Sequence, residues 1–82
     1  MKRLPRDVSG KKLTDNLRRF GYRITRQSGS HMRLTTELKG VHHITVPRHG
    51  HLRVGTLASI IAEVGFHHGL DRDEVVEVLF GE

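Results

Sequence analysis

The residues of this sequence that are best suited to chemistry are its histidines, seven in 82 residues that include no cysteine. Imidazole has an unperturbed pKa of about 6.5, so a histidine can accept or release a proton near neutral pH. His31 stands apart because Gly29 and Ser30 come directly before it, between two segments in which apolar and polar residues alternate. Glycine permits a tight turn. The pattern predicts a hairpin that presents the imidazole of His31, and an exposed histidine without a role is the alternative.

The same histidines raise the question of a metal site, which we expect the chain not to have. His42 and His43 are neighbours on a predicted strand and therefore point to opposite faces of the sheet. His49 and His51 share a polar loop, where we find no carboxylate or thiol close by that would complete four ligands. We predict no bound metal and no other cofactor.

The sequence before the predicted strands has the signals of a helix. A basic leader at residues 1–7 is followed by Ser9, a favourable N-cap. Apolar residues then recur at helical spacing as far as Phe20, and Gly21 supplies a left-handed end. The first helix is therefore predicted at about residues 9–20.

Three short segments with a period of two predict an antiparallel meander. One face of this sheet is apolar and must be covered by the helices: Tyr22, Ile24, Met32, Leu34, Ile44 and Val46. The opposite face is an open basic surface: Arg23, Thr25, His31, Arg33, Thr35, His43 and Thr45. A bulge near Gly29 would change the direction in which His31 points.

Two helices follow the strands. Apolar residues at the spacing i, i+3, i+4, i+7 predict a helix at about residues 55–64, which Gly65 ends. Asp71 and Glu74 form a capping-box pattern that predicts a further short helix within residues 70–80. The acidic side chains of this last helix are expected to face solvent, with a partner or self-association surface as the alternative: Asp73, Glu74 and Glu77.

Together the elements predict an α+β fold in the order α-β-β-β-α-α. A three-stranded antiparallel sheet has its helices packed on one face, in a single domain over residues 1–82, with the helix at 70–80 as an addition at the C-terminal end. No segment resembles a signal peptide, and no apolar run approaches the roughly 20 residues of a membrane span. We therefore expect a cytoplasmic protein that does not associate with membranes.

The charge of the chain is distributed unevenly. Residues 1–62 hold 13 basic and 3 acidic side chains, whereas residues 63–82 hold 1 basic and 6 acidic side chains. A strongly basic body favours a polyanionic partner such as RNA or DNA. Solubility alone is the alternative explanation of these charges.

Three motifs in this order resemble a known family. They are Gly29-Ser30-His31 after a Tyr-x-Ile-x-Arg strand, the stretch His43-Ile44-Thr45-Val46-Pro47, and Gly55-Thr56-Leu57 followed by Ile60-Ile61. Over residues 8–80 the chain resembles the HicA (YcfA-like) family of small toxins from type II toxin–antitoxin systems. The resemblance implies a fold similar to the double-stranded RNA-binding domain, mRNA interferase activity, catalysis by His31 and neutralisation by a HicB-type antitoxin.

The chemistry implied by this resemblance needs no metal. RNA is cleaved when its 2′-OH attacks the adjacent phosphorus, which requires proton transfer and positive charge near the phosphate. His31 is the proton-transfer candidate, and the candidates for contact with RNA (mRNA) are Gly29, Ser30, Arg23, Arg26, Arg33 and His43. A non-catalytic RNA-binding module that uses the same sheet is the alternative function, and His31 alone separates the two.

Overall fold

The computed structural model describes residues 2–81, so Met1 and Glu82, the ends of the predicted leader and domain, lie outside the described residues. Its helices are α1 (Gly10–Leu17), α2 (Val54–His68) and α3 (Arg72–Phe80), and its strands are β1 (Arg23–Ser28), β2 (His31–Thr36) and β3 (His42–Pro47). One 3-10 turn, Arg18–Phe20, follows α1. The predicted α+β class and element order are confirmed.

The strands form an antiparallel sheet in the order β1-β2-β3, so β2 is central and β1 and β3 are edges. Its inner face packs against the helices through five buried side chains: Tyr22, Met32, Leu34, Ile44 and Val46. Ile24 was expected among them, but this prediction is wrong, because 45% of the residue is exposed. Ile24 lies on the edge strand β1, all of whose residues are exposed.

A bulge lies in β1, between Ile24 and Arg26, and the register shows none at Gly29, where a bulge would have changed the direction of His31. The bulge inserts one extra residue, Thr25, and so reverses which side chains of β1 share a face with β2. Beyond it, Arg26 lies directly opposite Arg33, and Ser28 lies opposite His31. The bulge therefore places the last part of β1 in register with the basic face of β2.

The first helix begins as predicted and is shorter than predicted. The Ser9 hydroxyl accepts the backbone N–H of Lys12, and the chain leaves the helical region at Gly21, whose φ is 81°. The N–H of Gly10 donates to the carbonyl of His49 at 2.8 Å. A Cβ at Gly10 would lie 2.0 Å from the carbonyl oxygen of Pro47, so glycine allows α1 to start directly against the end of β3.

The second helix continues past Gly65, which was expected to end it, and extends to His68. Gly69, with φ of 71°, provides the left-handed end instead. Gly65 is needed for close packing, because a Cβ there would lie 2.7 Å from the carbonyl oxygen of Leu70. No helix among residues 2–81 is long and apolar enough to cross a membrane.

The third helix is capped by Asp71 and Glu74 in the predicted capping box. Glu74 and Glu77 are exposed and Asp73 is half-buried, and two of these three carboxylates contact Lys2 of the leader. The Lys2 ammonium lies 2.7 Å from a carboxylate oxygen of Glu77, and the Lys2 backbone N–H donates to Asp73 at 2.9 Å. The expected solvent exposure is confirmed for Glu74 and Glu77, while α3 also contacts the basic leader through Lys2.

Candidate functional site

The turn that precedes β2 is a two-residue loop, Gly29-Ser30, which brings Ser28 directly opposite His31. Gly29 has φ of 56°, and glycine with a positive φ at the first loop position is typical of a type II′ hairpin turn. Apart from Gly29 and its two chain neighbours, no described residue has an atom within 4 Å of the position of a Cβ at Gly29. Glycine is thus needed here for backbone conformation, and the outer side of the turn is open to a ligand.

His31 is the first residue of β2, and its side chain is exposed. Pro47 lies opposite it on the other neighbouring strand, and the N–H of Arg48 donates to the carbonyl of Ser30. Within residues 2–81 no group hydrogen-bonds or ion-pairs with the imidazole. Both ring nitrogens are therefore available to a bound molecule. The expected exposure of His31 is confirmed, while its catalytic role stays a prediction.

Two arginines face each other beside the turn. Arg33 lies between the buried residues Met32 and Leu34, so its side chain points to the open face. Arg26 is its cross-strand partner and shares that face. Like charges directly opposite each other destabilise a sheet, and no carboxylate among the described residues forms an ion pair with either guanidinium. A bound phosphate would neutralise this pair.

The remaining two RNA-binding candidates lie at the far end of the sheet. Arg23 pairs with Thr35 in register, and its guanidinium lies 3.5 Å from Glu37. His43 is also opposite Thr35, and its Nδ1 lies 2.7 Å from the Thr35 hydroxyl. Thr35 lies four positions after His31 in β2, which corresponds to roughly 14 Å along the strand. His43 and His31 are therefore too far apart to contact the same small group.

The orientation of His43 is held by a row of hydroxyl groups across the open face. The hydroxyl of Thr35 lies 2.7 Å from that of Thr25, and Thr25 also donates to the carbonyl of Arg33 at 3.4 Å. Because Thr35 occupies Nδ1 of His43, Nε2 is the ring nitrogen left to face a ligand. Thr25, the extra residue of the bulge, thus places its own side chain on the open face of the sheet.

A second group of histidines was missed in the sequence. The Tyr22 hydroxyl lies 2.7 Å from Nδ1 of His42 and 3.2 Å from Nε2 of His68. The His42 ring stacks on that of His67, with 4.4 Å between ring centroids. His67 Nε2 lies about 3 Å from the carbonyl oxygens of Leu38 and Gly40, and it donates because carbonyls only accept. The cluster joins the end of α2 to the sheet.

Burial shifts the pKa values of the tyrosine and of two histidines in this cluster towards their neutral forms. It lowers the pKa of His42 and of His68, and the neighbouring His67 lowers both further. Burial also raises the pKa of Tyr22 to about 12, with Glu63 acting in the same direction. The neutral forms are thus favoured near pH 7. The paired positions His67-His68 were the available sequence signal, but the longer α2 that carries them to Tyr22 was not predicted.

The loop after β3 has a carboxylate close to one of its histidines. The sequence showed no carboxylate near His49 and His51, yet Asp7 lies 3.1 Å from Nδ1 of His51. His42 and His43 do lie on opposite faces, since His42 contacts the buried Tyr22 and His43 is exposed. Over residues 2–81 no group of three or more histidine or acidic side chains is arranged to hold a metal ion.

Comparison with known proteins finds one family. A family model described as HicA toxin of bacterial toxin-antitoxin systems matches residues 10–66, which is more than half of the chain. The match includes the turn at Gly29-Ser30-His31, all three strands and most of α2, but not α3. No curated protein and no solved structure matches the chain significantly.

Proposed function

The chain belongs to the HicA toxin family of bacterial toxin–antitoxin systems, and from this premise we propose that it is a metal-independent endoribonuclease that cleaves mRNA. The observation that supports this proposal most is the free, exposed imidazole of His31 beside an uncompensated pair of arginines. A solvent-exposed face of this kind is accessible to a long polymer, whereas a closed pocket would suit a small substrate.

RNA approaches the open face of the sheet, where Arg26 and Arg33 attract its phosphates. Contacts of this type are independent of sequence and give the binding a strong dependence on salt. Arg33 lies two residues from His31 on the same face of β2, roughly 7 Å along the strand. A phosphate held by the arginines therefore places its neighbour close to the imidazole.

Cleavage proceeds by internal transfer of the phosphate. The ribose 2′-oxygen loses its proton and bonds to the adjacent phosphorus, and the bond between phosphorus and the 5′-oxygen breaks. The 5′-oxygen takes up a proton, and the products are a 2′,3′-cyclic phosphate and a 5′-hydroxyl. His31 accepts the first proton or supplies the second, and solvent water, which reaches this face, exchanges the other. Arg26 and Arg33 stabilise the charge that develops on the phosphate.

A toxin of this family has an antitoxin partner, and we propose a HicB-type protein in that role. Such a partner inhibits cleavage if it covers the turn and the basic face. The proposal is tested by adding the HicB-type protein to the RNA cleavage reaction at equimolar ratio. Loss of cleavage is expected, and unchanged cleavage in a stable complex would contradict neutralisation by coverage of this face.

The cleavage itself is tested with purified protein and an end-labelled mRNA in excess EDTA. We expect cleavage to continue and the products to carry 2′,3′-cyclic phosphate ends. If chelation abolishes cleavage, the metal-free chemistry is wrong. If the RNA binds and remains intact in all conditions, the non-catalytic RNA-binding module is the correct reading.

A further inference from the structure

A cleft of about 790 Å³ adjoins the open face of the sheet, between the edge strand β3 and the first half of α2. Its lining includes two buried apolar residues, Ile44 and Ile60. Hydroxyl groups of Thr45 and Ser59 line its walls. A cleft that combines apolar lining residues with a few polar groups suits a planar, heteroaromatic ligand.

The cleft begins next to the proposed reaction centre. Pro47 lines one end of the cleft and lies directly opposite His31 in the sheet. Arg33 also lines the cleft and lies opposite Thr45. An RNA chain whose phosphates contact Arg33 and whose scissile bond lies at His31 therefore passes along the mouth of the cleft. The base that reaches into it belongs to a nucleotide adjacent to that bond.

The charge of the cleft differs from that of the sheet. Glu63, an exposed residue of α2, lines the cleft, and Arg33 and His43 line it from the sheet. A carboxylate repels phosphate, so the α2 side of the cleft is unsuited to the RNA backbone. Carboxylates instead accept hydrogen bonds from amino and imino groups on base edges. Guanine offers two adjacent donors, N1–H and N2–H, that match the two oxygens of one carboxylate, whereas the carbonyl oxygens of uracil do not.

We propose that this cleft binds one unpaired guanine base next to the scissile phosphodiester, with Glu63 accepting its N1–H and N2–H groups. Sequence-specific recognition of RNA typically uses unpaired bases whose Watson–Crick edges are exposed in this way. The inference deepens the proposed ribonuclease function and rests on it for its biological meaning. Its test needs binding only and no cleavage.

The test uses short, labelled oligouridylates with 2′-fluoro sugars, which lack the attacking hydroxyl, bound to the wild-type protein. One central position carries guanine, inosine or uracil. We expect the guanine oligonucleotide to bind about tenfold more tightly than the uracil one, which lies within the usual discrimination of a bidentate contact to a base edge. Inosine lacks the N2 amino group and is expected to bind with intermediate affinity.

The variant Glu63→Gln separates base recognition from general electrostatics. Its amide cannot accept both hydrogen bonds, so the ratio of guanine to uracil affinity is expected to fall close to one. Glu37→Gln is the matched control, because it removes an exposed carboxylate at the far end of the sheet, outside the cleft. Equal affinities in the wild type, or an equal gain for every oligonucleotide in Glu63→Gln, would overturn the proposal.

A second variant keeps the test decisive if Glu63→Gln does not fold. Ser59 is exposed on α2 and lines the cleft, so Ser59→Phe fills the space while leaving the core unchanged. It must reduce guanine binding to the uracil level. If the wild type prefers guanine but cleaves no RNA, the pocket stands and the ribonuclease proposal fails. If it cleaves RNA without any guanine preference, the ribonuclease proposal stands and the guanine pocket fails.

Discussion

The substitution Tyr22→Phe tests how strongly the histidine cluster ties α2 to the sheet. The residue is 1% exposed, and its hydroxyl contacts His42 at 2.7 Å and the buried His68 at 3.2 Å. Removing the hydroxyl loses two hydrogen bonds, each contributing about 1 kcal/mol, and leaves a ring nitrogen of His68 without a partner. We expect the free energy of unfolding to fall by about 2–3 kcal/mol.

The assay is urea denaturation at a fixed pH near 8, where both histidines are neutral. Thr45→Val is the matched control, because it removes a hydroxyl from an exposed strand position and should change the stability by less than about 0.5 kcal/mol. A loss in Tyr22→Phe no larger than that of the control would refute the reasoning. The hydroxyl would then be replaceable by water, and the cluster would not hold α2 in place.

Three further outcomes follow from the structure. The pKa values of His42 and His68 in the folded protein lie below the ordinary 6.5, so the unfolded chain binds protons more readily than the folded one. Urea titrations should therefore show full stability above about pH 6.5 and a decline in stability as the pH falls below it. Gly65→Ala should lower the stability by about 1–3 kcal/mol, whereas Gly55→Ala should not lower it, because its Cβ would meet no atom of the described chain within 4 Å beyond its chain neighbours and its own helix backbone. Equal thermal shifts in the two variants would contradict this. Arg26→Ala should weaken RNA binding for all sequences and reduce the slope of log affinity against log salt by about 0.7, and an unchanged slope in filter binding would exclude its phosphate contact.

Local signals in the sequence were sufficient for most of the fold. The N-cap Ser9, the left-handed Gly21 and the capping box at Asp71 act within one or two turns of chain, so their residue types nearly determine the outcome. The alternation of buried and exposed residues in β2 and β3 also matched the sequence pattern. These predictions are confirmed because each depends on neighbours in the chain.

The predictions failed where residues distant in the sequence determine the local structure. Gly65 carries the usual signal of a helix end, but the approach of Leu70 uses the missing side chain for packing instead. No residue type near Thr25 signals the bulge in the sequence. Strict alternation along β1 would not place Arg26 opposite Arg33, and only the pairing of the strands in the sheet does so. Tertiary contacts therefore override the local signal at both positions.

The candidate site was predicted in part. The turn that exposes His31 was visible in the sequence, because a Gly-Ser pair between two alternating segments predicts a hairpin. The cleft was not visible, since Glu63 and Pro47 meet only when α2 packs beside β3. A single acidic residue on the exposed side of a helix carries no signal of its own.

The central claim is tested most directly by the rate of RNA cleavage in the variant His31→Ala under saturating RNA. We expect a loss of about 10²- to 10⁴-fold in turnover, the usual contribution of a group that transfers protons. His43→Ala, on the same face but roughly 14 Å away along the sheet, should retain turnover and change only the affinity. A folded His31→Ala protein that cleaves RNA at the wild-type rate would contradict the account.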